Sequence, residues 1–127
     1  MINEILLEAI DADFDLDAIR GELVRSGHAV VDPHDARQYL LASDDDVRER
    51  ALAERRGDPR RISRSVAIVL PTARRIAINV PGSDPMPARR FVEWLRARQA
   101  FRVLDHDFND FTDQSTDLDF IFGPEAA

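Results

Sequence analysis

The sequence predicts a single α+β domain over residues 1–127, with a mostly antiparallel sheet of about four to five strands and helices packed on one face. Three observations carry this reading. Residues 60–81, RRISRSVAIVLPTARRIAINVP, hold the longest β-branched apolar run and divide into two strand-like halves around a short turn. Helical spacings of apolar residues recur on both sides of that run. Strand signals gather in the second half with one helix among them, a pattern that favours antiparallel pairing with helices laid on the sheet. The 127 residues and 44% apolar content suit one globular domain with a real core.

Taken in order, Ile2, Ile5, Leu6, Ala9 and Ile10 follow the i, i+3, i+4, i+7, i+8 spacing of an amphipathic helix, with a strand over 4–10 as the competing reading. Asp15 can cap a second helix that places Leu16, Ile19, Leu23 and Val24 on one face, and Gly27 suits its end. His28, Ala29, Val30 and Val31 make a short strand, and Asp32-Pro33 turns the chain. A helix over 34–42 would partly bury Tyr39, Leu40 and Leu41. Ser43, three residues before Asp46, resembles a capping box for a helix over 44–56. That helix has a thin apolar face of Val47, Ala51 and Leu52, and pairs Asp44 with Arg48 at i, i+4.

Residues 66–70 are uniformly apolar, so both faces of that strand are expected to be covered. Residues 75–80 alternate, with Ile76, Ile78 and Val80 on one face. The connection at 71–74 is short enough for a hairpin. Ser83 or Asp84 can cap the next helix, with Pro85 near its first position and Ala88, Phe91, Val92 and Leu95 on its core stripe. Residues 101–104 read as a strand, 105–117 as an acidic irregular segment, and Leu118, Phe120 and Phe122 as a final strand. Residues 123–127 read as a loose tail.

The charge layout is uneven. Net charge is −7, yet residues 1–47 carry three arginines against twelve acids, 48–102 carry fourteen arginines against five acids, and 103–127 carry seven acids and no base. All 17 basic residues are arginine. Arginine offers planar, bidentate recognition that lysine does not. The chain has no cysteine, which removes disulfides, thiol catalysis and thiolate metal sites and fits a reducing compartment. No secretory signal pattern and no run of the ~20 apolar residues needed to span a bilayer is present, so a cytoplasmic protein is expected.

Four groups of residues invite a chemical reading. Asp105, Asp107, Asn109 and Asp113 stand at relative positions 1, 3, 5 and 9, resembling the ligand spacing of a Ca²⁺ loop. Position 6 is Asp110 in place of the turn glycine, and position 12 is Thr116 in place of a bidentate glutamate, so a solvated acidic surface is the better reading. Asp11, Asp13, Asp15 and Asp17 alternate and would share a face if extended, but Asp15 has a simpler role as a helix cap. His34-Asp35 and His106 lack the further ligands or partners that a hydrolase site needs. Arg60, Arg61, Arg64, Arg74 and Arg75 flank the central hairpin and could follow a phosphate backbone, although the acidic whole and the absence of interleaved aromatics argue against it. Phosphate-binding loops, nucleophile elbows and zinc-helix motifs are missing.

No catalytic residue, metal or cofactor is assigned. The expected function is binding to another protein with a basic surface, through Asp105, Asp107, Asp110, Asp113, Asp117, Asp11 and Asp13. In size and charge the chain is similar to small acidic inhibitors, immunity proteins and secretion chaperones or adaptors. Two alternatives stand beside it: a nucleic-acid-binding regulator using the arginine-flanked hairpin, and a metal-dependent hydrolase using an aspartate cluster. The opposed charge blocks also permit a homo-oligomer.

Overall fold

The computed structural model describes residues 4–26, 29–32, 34–58, 66–80, 85–113 and 122, with the side chain of Arg55 excepted. Among them the order is β1 (Glu4–Ala9), α1 (Leu16–Arg25), β2 (Ala29–Val31), β3 (Tyr39–Leu41), α2 (Asp45–Gly57), β4 (Ala67–Pro71), β5 (Arg75–Asn79), α3 (Met86–Arg98) and β6 (Phe101–Leu104). The strands form one six-stranded sheet in the order β2-β3-β4-β5-β1-β6, and every neighbouring pair is antiparallel. The α+β class is as the sequence predicts, with six strands rather than four to five.

Two segments expected to be helical are strands. β1 alternates half-buried Glu4, Leu6 and Glu8 with buried Ile5, Leu7 and Ala9, a period of two rather than 3.6. It is the second strand from one edge of the sheet, pairing Leu7 with Ile76 on one side and with Val103 on the other. Tyr39–Leu41 is β3, not part of a helix over 34–42. Ahead of it the Asp35 carboxylate accepts from the Arg37 backbone amide at 3.0 Å, and Asp32 N–H donates to Gln38 O at 2.9 Å. These bonds close a turn, so the chain enters β3 extended.

The helices occupy both faces, not one. Ile19 and Leu23 of α1 and Ala88, Phe91, Val92 and Leu95 of α3 share the main core with Ile5, Leu7, Tyr39, Leu41, Ala67, Val69, Ile76 and Ile78. Ala51 and Leu52 of α2 pack with Leu40, Ala42, Val66 and Ile68 in a second, smaller cluster. Consecutive strand residues point to opposite faces, so the unbroken apolar runs of β3 and β4 must be covered twice. The double coverage expected of residues 66–70 is the reason α2 lies opposite α1 and α3.

The ends of these elements follow local chemistry. Asp15 caps α1, its carboxylate accepting from Ala18 N–H at 3.1 Å. Val24 of α1 is 59% exposed, so the apolar stripe is narrower than its spacing suggests. The cap of α2 is Asp44, which accepts from Asp46 and Val47, rather than Ser43. With Asp44 so engaged, Arg48 pairs with Asp45 instead. Pro85 stands at the N-cap of α3 without a side-chain cap bond, and Ser83 and Asp84 lie outside the described residues. β4 and β5 form the expected hairpin, closed by Thr72 N–H donating to Arg75 O at 2.8 Å. The final strand over 118–122 falls outside the described residues except for Phe122, which is helical and buried in the main core. The 123–127 tail and Gly27 also lie outside them. Among the described residues no helix is long and apolar enough to cross a membrane.

Candidate interaction surface

The sheet order brings β1 beside β6 and the acidic 105–113 segment that follows it. β1 lies between β5 and β6, with Ala9 opposite Phe101 and Glu8 opposite both Arg75 and Arg102. After Leu104 the chain turns over 105–109 and runs back along the free edge of β6. Leu104 bridges Asp110, Phe111 N–H donates to Val103 O at 3.0 Å, and Val103 N–H donates to Thr112 Oγ1 at 2.9 Å. This return brings Asp110 and Asp113 beside Ile10 at the exit of β1. Ile10, Arg102, Asp110, Thr112 and Asp113 line an open groove of about 420 Å³. Asp11 follows Ile10 in the chain and Asp13 pairs with Arg74, while the acids that line the groove itself are Asp110 and Asp113.

Within the turn, Asp105 acts as a local scaffold. Its carboxylate accepts from Asp107 N–H at 2.8 Å, Asn109 N–H at 2.9 Å and Asn109 Nδ2 at 3.1 Å. The bonds from Asn109 hold the Asp105 carboxyl below the ordinary aspartate range. Asp110 is lowered too, first by the Thr112 hydroxyl, which donates to it at 2.5 Å, then by the Thr112 N–H and by the nearby charge of Arg102. These two acids shape the loop. Asp107 is 71% exposed, and its carboxylate lies 3.3 Å from the neighbouring His106. Asp11 is exposed as well.

Arg74 and Arg75, the described arginines of the central hairpin, face the chain's own groups. Arg74 pairs with Asp13 at 3.0 Å and donates to Ala9 O at 3.1 Å. Arg75 pairs with Glu8 at 3.1 Å, and its guanidinium lies 5.0 Å from the centre of the Phe108 ring. Glu8 also accepts from Arg102 at 3.4 Å, which makes a cross-strand row of two arginines around one carboxylate. Arg60, Arg61, Arg64 and Asp117 lie outside the described residues.

The alternating aspartates do not share a face: Asp13 pairs with Arg74, Asp15 caps α1, and Asp17 enters its first turn. Among the described residues no group of three or more His, Cys, Asp or Glu side chains is placed to hold a metal ion. On the opposite side of the sheet, a cleft of about 220 Å³ opens between α1 and α3, floored by Leu23, Leu41 and Phe91 and rimmed by Glu22 and Arg90. Glu22 pairs with Arg25.

Sequence reasoning missed Glu8, Ile10, Arg102 and Phe108. The first three owe their place to strand order, which no local spacing encodes. An aromatic inside DHDFND was the one visible signal for Phe108. No family model, curated protein or solved structure matches the chain.

Proposed function

We propose that the protein acts by binding another protein, and that the surface bordered by Asp11, Asp13, Asp107, Asp110 and Asp113 receives a basic segment of that partner. One observation supports this reading: Asp110 and Asp113 line an open groove beside Ile10, the residue that leads into Asp11, while Arg74 and Arg75 are engaged by Asp13 and Glu8. A basic side chain entering the groove would rest its aliphatic stem on Ile10 and its charge among the carboxylates. Opposed surface charge speeds encounter and disfavours acidic competitors. An inhibitor, immunity-type protein or chaperone would each work through such a surface, in a cytoplasmic setting that the cysteine-free composition supports.

The test is binding to a partner captured and identified from cell extract, measured against salt. Affinity should fall steeply between low and physiological ionic strength. The combined change Asp11→Asn, Asp107→Asn and Asp113→Asn should slow association at least about tenfold. Binding indifferent to both salt and these changes would sink the reading. A mobility shift of DNA or RNA that disappears on Arg74→Ala and Arg75→Ala would instead favour a nucleic-acid partner. Mass measurement in solution separates a different partner from a second copy of the chain.

A further inference from the structure

Phe108 is the one described non-glycine residue with positive φ, at 65°. Left-handed backbone is unfavourable for a bulky side chain and far easier for asparagine, which stands next to it at 109. The ring is nonetheless 55% exposed, so burying it is not what compensates the strain. The surroundings hold it in place. Phe108 N–H donates to Asp105 O at 3.0 Å, and the Asp105 carboxylate bonds the amides on either side, at Asp107 and Asn109. Arg75 stacks on the ring, and Arg75 is itself fixed by Glu8.

An exposed aromatic on a strained, over-determined backbone is a mark of function rather than of stability. A rigid aromatic with few rotatable bonds loses little freedom on docking, and aromatic residues dominate binding energy at interfaces. The ring stands in a turn carrying Asp105 and Asp107, followed by Asp110 and Asp113 on the return segment. That charge repels a phosphate backbone and suits a basic rim.

We propose that Phe108 is the anchor of the interface, inserting into an apolar socket rimmed by lysine or arginine on a partner protein. This rests on the protein-binding reading above and names the contact that supplies its affinity.

The experiment pans a phage-displayed library of random peptides on the intact protein and on two variants, Phe108→Gly and Phe108→Asn, both of which accept left-handed backbone. Peptides enriched on the parent should join basic with apolar residues. Their affinity should drop at least about tenfold on both variants, while melting temperatures stay equal or rise. Basic peptides that bind the variants as tightly as the parent would overturn the anchor and leave the acidic surface standing. Failure to enrich basic peptides at all would overturn both. A lower melting temperature in both variants would show the ring to be structural and overturn the anchor. A single-stranded oligonucleotide whose binding depends on Phe108 would replace the protein partner with a nucleic acid.

Discussion

Glu8 sits between Arg75 and Arg102 on neighbouring strands, and its half-buried carboxylate is the only acid in that row. Exposed pairs contribute little singly, and both arginines are half exposed, so Glu8→Gln should cost only about 1 kcal/mol in urea denaturation. It should also loosen Arg75 over Phe108, which ring-proton chemical shifts would report. Asp105 and Asp110 set a pH dependence. Both carboxyls are held below their ordinary range by hydrogen bonds formed only in the folded turn. A depressed folded-state pKa contributes stability that is complete above the unfolded value and is lost as pH falls through the folded one. The turn should therefore stay ordered through neutral and mildly acidic pH and loosen only under strongly acidic conditions, below the ordinary aspartate range. Carboxyl-carbon NMR titration of the two residues checks this: midpoints at the unperturbed aspartate value would refute it.

At the scale of the elements, caps and core strands give separable effects. Asp44→Ala removes the acceptor for two amides at the start of α2 and should cost about 1 kcal/mol. Ile78→Ala, fully buried in the main core, should cost about 2–5 kcal/mol. Urea midpoints at constant slope would measure both. The sequence made the β4–β5 hairpin, α2 and α3 legible because each has a run long enough, or bounded sharply enough, for one period to dominate. β1 fits a helical spacing because it is six residues long and carries Leu6 on the face opposite Ile5 and Leu7. Apolar residues on both faces blur the alternation, and a short blurred run fits a helical spacing equally well. β3 failed for a related reason. Tyr39, Leu40 and Leu41 are all buried, in two different cores, so no alternation remains to be read. Of the candidate surface, its acids were visible in the sequence. The placement of Asp110 and Asp113 beside Ile10 was not, because it depends on β1 inserting between β5 and β6.

For the molecule as a whole, that insertion ties β6 to the rest of the described sheet through β1. β1 is the only bridge between β6 and the remaining strands of the described sheet. A chain lacking residues 1–9 should lose its sigmoidal thermal transition altogether, rather than merely melt lower; calorimetry that still shows a sharp peak would contradict this. The same arrangement has a bearing on synthesis. Glu8 meets Arg75 and Arg102 across separations of 67 and 94 residues. At about 5–20 residues per second, a growing chain leaves this segment without its neighbours for several seconds at least. During that wait EILLEA is an unpaired apolar strand, open to pairing with another nascent chain. Glu4 and Glu8 flank its apolar residues with negative charge. The acid that later ties two arginines together thus begins, on the ribosome, as a guard against premature pairing.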